Sequence, residues 1–111
     1  MATEADWQHL RRLQPIALDR LCDKALKQIV RACNTPGKTN HERYLAVYRL
    51  IERRDQDIAR AFNDMRRSTA LICIGAMHKL GLFTAEEFAG FSVGVRQWLA
   101  PDDARARDDD P

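Results

Sequence analysis

The feature that most constrains this chain is a proline-free stretch from Thr39 to Leu82 with apolar residues at heptad spacing. Apolar side chains that recur alternately four and three residues apart line one face of a helix and favour packing against another helix. The stretch therefore predicts one long helix with a helical partner. The seam consists of Tyr44, Tyr48, Ile51, Asp55, Ile58, Phe62, Met65, Thr69, Ile72 and Ala76.

Clear signals mark both ends of this helix. Thr39 and Glu42 have the spacing of a capping box, in which each side chain accepts a hydrogen bond from the other residue's backbone N–H. Gly81 suits the position just after a helix end. A continuous helix over 40–80 would be about 60 Å long at ~1.5 Å per residue. We therefore expect either a break, with 66–69 as the weakest point, or an elongated molecule whose far end a second copy covers.

The N-terminal third predicts a short helix followed by the first arm of a hairpin. Trp7, Leu10 and Leu13 recur at helical spacing, and Pro15 then predicts an interruption because proline lacks a backbone N–H. Apolar spacing resumes over 16–33, and the loop 34–38 leads into the long helix. The sequence thus predicts an antiparallel hairpin of helices at about 16–33 and 40–80.

A loop centred near residue 36 would place Cys22 opposite Ile51 and Leu18 opposite Asp55. Asp55 is the one charged residue in the seam, and two interpretations of it stay open. It is either a partly solvated carboxylate paired with Arg20 or a neighbour, or a buried polar group that fixes the register of the helices.

Two short helices are predicted at the C-terminal end. Thr84 and Glu87 form a second capping box, and Phe83 and Phe88 occupy the positions of a hydrophobic staple. Ser92 can cap a last helix through residue 98 or 99. The fold class is therefore all-α and bundle-like, with one domain over 1–100. The segment 101–111 is acidic and has almost nothing to bury, so we expect a disordered tail.

The sequence carries no pattern typical of catalysis or of metal and cofactor binding. Cys22, Cys33 and Cys73 are an odd number within apolar helical patterns, which favours reduced core thiols over disulfides. No C-x-x-C, H-x-x-x-H or E-x-x-H spacing is present, nor any glycine-rich phosphate loop or nucleophile elbow. We expect no enzyme activity, no cofactor and no metal.

The cellular location follows from two further patterns. No segment approaches the ~20 apolar residues of a membrane-spanning helix, since the longest apolar run, 70–77, has eight. The first residues are polar and acidic, unlike a signal peptide. A cytoplasmic protein is the expectation.

Charge is distributed unevenly along the chain. Residues 1–80 hold 15 Lys and Arg against 9 Asp and Glu, whereas residues 81–111 hold 3 against 7. On one uninterrupted helix, Arg53, Arg60 and Arg67 would share a line, and arginine suits phosphate geometry. A nucleic-acid-binding accessory protein is therefore the alternative functional hypothesis, although interleaved acidic residues would neutralise much of this surface.

The favoured hypothesis is a non-enzymatic protein that acts by protein–protein interaction. The run 70–77 is apolar on every face of a helix, and the short C-terminal helices either cover all of it or leave part of it exposed. An uncovered remainder of this kind marks an association surface. We expect a homodimer or an unknown protein partner at this run, whose candidate residues are Leu71, Ile72, Ile74, Gly75 and Met77.

Overall fold

The computed structural model describes residues 2–99, and its helices form an antiparallel hairpin closed at one end by shorter helices. The elements are α1 (Glu4–Cys33), α2 (Asn40–Phe62), a 3₁₀ turn (Arg67–Thr69), α3 (Ala70–Lys79), α4 (Ala85–Ala89) and a helical segment over 93–99, termed α5. No strand is present in this part of the chain. The predicted all-α helical hairpin is confirmed, and the predicted tail over 101–111 lies outside the described residues.

Helix α1 is continuous through Pro15, so the predicted short N-terminal helix and the predicted break after it are wrong. Pro15 lies on the exposed side, where water can hydrate the carbonyl group that lacks its usual N–H donor. The opposite side of α1 buries an unbroken apolar stripe that includes Leu10, Leu13 and Ala17. Burial of this stripe on both sides of the proline outweighs the loss of one helical hydrogen bond.

The helix predicted over 40–80 is interrupted, which is the first of the two alternatives that the sequence left open, because α2 ends at Phe62. The side chain of Thr69 accounts for the break: its hydroxyl donates to the Asp64 carbonyl and accepts from the Arg66 N–H. Such side-chain bonds compete with helical ones. The interruption falls at the weak point that the sequence indicated, and it lets α3 fold back against α2.

The main core lies at one end of the hairpin, between the first half of α1 and the elements after the break. Trp7, Leu10 and Leu21 of α1 belong to this cluster, as do Ala61 and Phe62 at the end of α2. The C-terminal elements contribute its remaining large side chains, which are Ile74, Met77, Leu82, Phe91, Val95 and Leu99. Among the described elements, only α1 and α2 form the other end of the hairpin.

The connection from α3 to α4 follows the predicted local signals. Gly81 has a φ of +71°, and the Leu82 N–H donates to the Met77 carbonyl at 3.1 Å, which together complete the glycine-terminated helix end. The Thr84–Glu87 capping box is formed, as is the one at Thr39 and Glu42. The structure therefore confirms both predicted capping boxes and the role of Gly81.

The helices of the hairpin meet in a different register from the predicted one. Gln28 of α1 accepts from the Arg54 guanidinium at 2.7 and 3.1 Å. Its side chain shares a crevice with Leu50, and Ala32 shares another with Ala46. Cys22 and Leu18 are therefore not opposite Ile51 and Asp55, because α2 is shifted along α1 by about two helical turns relative to the prediction.

Candidate interaction face

The C-terminal helices are held to α1 by polar contacts that sequence analysis missed. Asp6 is 1% exposed and accepts from the Thr3 N–H and the Ser92 N–H at 2.8 and 2.7 Å. Both hydroxyl groups also donate to it, at 3.0 and 2.7 Å. Burial raises the pKa of Asp6, but these bonds lower it by more, so it lies below its ordinary value. The ionised carboxylate thus caps α1 and anchors the start of α5.

Two basic side chains on one flank of α1 hold the α3–α4 connection. Arg20 forms a two-pronged ion pair with Glu87 and donates to the Leu82 carbonyl at 2.8 Å. Lys24 donates to the Leu80 carbonyl at 2.8 Å. The hydrogen bond from Arg20 holds the pKa of Glu87 below its ordinary value. This flank of α1 is therefore the side on which the C-terminal helices lie.

The opposite flank of the hairpin carries exposed apolar side chains from both helices. Successive residues of an α-helix are turned by about 100°. Around the axis of α1, Leu26 and Val30 are turned from the line of contact with α2 in one sense, and Arg20 and Lys24 are turned in the other. Around the axis of α2, the residues turned in the same sense as Leu26 and Val30 are Tyr44, Tyr48 and Ile51. Because the two helices are antiparallel, equal rotation in both places these residues on one face.

We call these five residues the hairpin face. They make up more than half of the large apolar side chains that are exposed within residues 2–99. Their exposed fractions are Tyr44 68%, Leu26 62%, Val30 59%, Tyr48 54% and Ile51 44%. Large exposed apolar areas on a protein mark association surfaces.

The heptad seam on α2 is thus apolar as predicted, but its first residues do not pack against α1. Tyr44, Tyr48 and Ile51 were expected to pack on the first arm, whereas Leu50 and Arg54, one position away, face α1. The apolar spacing in the sequence is real. It runs beside the contact between the arms, and the first half of the predicted seam remains uncovered.

The five residues predicted as an interaction site in the run 70–77 occupy different environments. Ile74 and Met77 are completely buried in the chain's own core, and Leu71 and Gly75 are half-buried. A Cβ at Gly75 would lie 3.4 Å from Leu99, so α5 packs closely there. Ile72 is 65% exposed. Of this set, only Ile72 presents most of its side chain to solvent.

Asp55 is exposed on α2, so the hypothesis that it is a buried register-fixing group is wrong. Its proposed pairing with Arg20 is also wrong, because Arg20 binds Glu87. Asp55 lies on the same rotational side of α2 as Tyr48, two turns closer to the core. Asp55 therefore places an acidic side chain at the end of the hairpin face that is nearest to the core.

The three arginines of the nucleic-acid hypothesis do not form one line. Arg53 and Arg60 are exposed on α2, but Arg67 lies in the 3₁₀ turn beyond the helix break. Arg67 donates to the Glu4 carboxylate at 3.0 Å, and its guanidinium lies 5.7 Å from the centre of the Trp7 ring. The continuous basic stripe on which that hypothesis depended is therefore absent among the described residues.

The thiols do not assemble into a reactive site. Cys73 is buried, and burial raises the pKa of its thiol, which disfavours the nucleophilic thiolate. Cys22 is half-buried and Cys33 is exposed on α1. Within residues 2–99, no three His, Cys, Asp or Glu residues are grouped so that they could hold a metal ion. The same residues contain no helix with the length and apolar character needed to cross a membrane.

Comparisons with known proteins identify no relative of this chain. No protein-family model, no curated protein and no solved structure matches this chain.

Proposed function

We propose that this is a non-enzymatic protein that acts by binding another protein through the hairpin face. The observation that carries the proposal is the exposure of Leu26, Val30, Tyr44, Tyr48 and Ile51 on one face of two packed helices. The C-terminal helices fold onto the other flank of α1, where Arg20 and Lys24 hold them. Nothing else in the described chain lies over this face.

The composition of the face suits a helical protein partner. Tyrosines at i and i+4 with an isoleucine three residues later repeat the spacing by which an amphipathic helix inserts into a helical groove. Tyrosine is enriched among the residues that dominate binding energy, because it brings a large apolar area with a polar end. The partner we propose therefore presents an apolar stripe from one or two helices.

Site-specific photo-crosslinking in cells tests this function and captures the partner whatever its identity. A benzophenone side chain at Tyr48 should give one discrete protein adduct in cells that express the chain. The matched control carries the same group at Val93, which is 56% exposed in α5 but lies away from the hairpin face. Adducts at Tyr48 alone support the proposal, whereas no adduct there, or equal adducts at both positions, would contradict it.

A further inference from the structure

We propose that the protein bound by the hairpin face is a second copy of this chain. In the arrangement we infer, the two hairpins stack face to face about a two-fold axis near Tyr48. The loops of the two hairpins then lie at opposite ends of the dimer. This inference rests on the proposed function, because it names the partner of the same face.

The outer end of the hairpin is a single layer of two antiparallel helices with one apolar face, and no third helix of residues 2–99 lies over it. Two such layers stacked on their apolar faces make a four-helix bundle, a stable solution for helices of this length. The same layer from a second copy supplies a matching face and requires no other protein.

The exposed area of the hairpin face can be compared with that of a stable interface. Each of the five side chains of the hairpin face is roughly half exposed or more. At ~150–250 Å² for a large side chain, they present on the order of 500 Å² of surface. A standard stable interface buries about 800 Å² on each partner. The half-buried neighbours Cys22 and Ile29 lie on the same flank and extend the face toward that size.

Charge on this flank of the hairpin selects the orientation of the two copies. On this flank, the acidic residues Asp19 and Asp55 lie toward the core end of the hairpin, and both are exposed. If the two loops were at the same end, four carboxylates would be brought together, and like charges in close contact are destabilising. With the loops at opposite ends, the two acidic ends are separated.

The antiparallel arrangement also makes a specific pairing. His41 and Asp55 are each seven residues from Tyr48 along α2, about 10 Å in opposite directions. A two-fold axis near Tyr48 therefore places His41 of each copy against Asp55 of the other. His41 lies in the first turn of α2, where the helix dipole also favours a carboxylate.

Sedimentation equilibrium of the purified chain tests the choice of partner. We expect a dimer, and we expect Tyr48→Glu to raise its dissociation constant at least about 100-fold, because the new charge would be buried without a partner. Val93→Glu is the matched control, since Val93 is 56% exposed in α5 and lies away from the hairpin face. A chain that stays monomeric up to about 1 mM, where association is worth only ~4 kcal/mol, would overturn the inference. So would a dimer that is unaffected by Tyr48→Glu.

Disulfide trapping tests the orientation. In a background with Cys22→Ser and Cys33→Ser, the variants His41→Cys and Asp55→Cys are mixed and oxidised. A mixed disulfide between the two variants supports the arrangement, and each variant alone should cross-link poorly because its own two copies lie about 20 Å apart. Efficient disulfide formation by either variant alone, without the mixed product, would overturn it.

The two proposals fail in different ways. A photo-adduct at Tyr48 with a different protein, together with a monomeric chain in sedimentation, overturns the second copy and leaves the proposed function standing. To test Tyr48→Glu, the benzophenone is moved to Tyr44. An adduct of twice the chain mass that disappears with Tyr48→Glu then supports both proposals. Absence of any adduct and of any dimer overturns both.

Discussion

Asp6→Ala should be among the most destabilising single changes in this chain. Asp6 is nearly inaccessible to solvent and accepts four hydrogen bonds, two from Thr3 and two from Ser92. A bond to a charged group contributes ~1.5–3 kcal/mol, and a lost helix cap costs ~1 kcal/mol. Because water can enter and hydrate part of the freed donors, we expect a net loss of about 3 kcal/mol.

The pH dependence of this loss follows from the lowered pKa of Asp6. A carboxyl group whose pKa is lower in the folded chain contributes stability that is fully present above its unfolded pKa of ~3.9. That contribution is lost as the pH falls through the folded pKa. The difference between wild type and Asp6→Ala should therefore be constant from about pH 7 to 5 and shrink in more acidic solution.

Urea denaturation followed by circular dichroism measures this difference. Glu4→Ala is the control, because Glu4 lies in the same turn but forms an exposed ion pair with Arg67 that solvent screens, so little change in stability is expected. A loss below about 1 kcal/mol for Asp6→Ala, or one that does not change on acidification, would refute the anchoring role of the carboxylate.

Three further changes have definite expected outcomes in the same urea assay. Gly90→Ala should destabilise the fold by roughly 1 kcal/mol, because the new Cβ would lie 2.5 Å from His9 Nε2. Gly94→Ala, whose Cβ would lie in open space, should stabilise it by up to ~1 kcal/mol. Stability changes of the same sign for both variants would contradict the packing of α1 against the turn at Gly90. Pro15→Ala should stabilise by about 1–3 kcal/mol by restoring a helical donor, and a loss of stability would show that the proline is needed. Arg20→Ala should cost about 1–2 kcal/mol through the ion pair that holds α4, and a silent change would mean that α4 is not held there.

Features fixed by near neighbours in the chain could be predicted from the sequence. The capping boxes at Thr39 and Thr84 and the helix end at Gly81 each depend on residues within about one turn. Their donors and acceptors are brought together by the local backbone alone. The existence and type of most helices therefore followed from the sequence.

Features that depend on competition between distant parts of the chain could not be predicted. Pro15 favours a break locally, but the core formed with the C-terminal helices keeps α1 intact. The surface on which Tyr44 and Tyr48 lie depends on the register of α1 and α2, which Gln28 and Arg54 help to set. Heptad spacing identifies an apolar face and leaves open which neighbour covers it.

The candidate site was displaced for the same reason. Ile74 and Met77 were expected at an intermolecular surface because the run 70–77 is apolar on every face of a helix, and part of it was expected to stay uncovered by the C-terminal helices. The turn at Thr69 folds α3 back, so the chain itself buries both residues. More than half of the large apolar side chains that stay exposed within residues 2–99 belong instead to the hairpin face.

Hydroxyl-radical footprinting over a series of protein concentrations tests the central claim most directly. Tyr44 and Tyr48 are more than half exposed, as is Trp98 in α5, which serves as an internal control. We expect oxidation of both tyrosines to fall as the protein is concentrated through its association range, while oxidation of Trp98 stays constant. Tyrosine oxidation that is independent of concentration, or protection of Trp98 instead of the tyrosines, would contradict the assignment of the hairpin face as the surface that another copy covers.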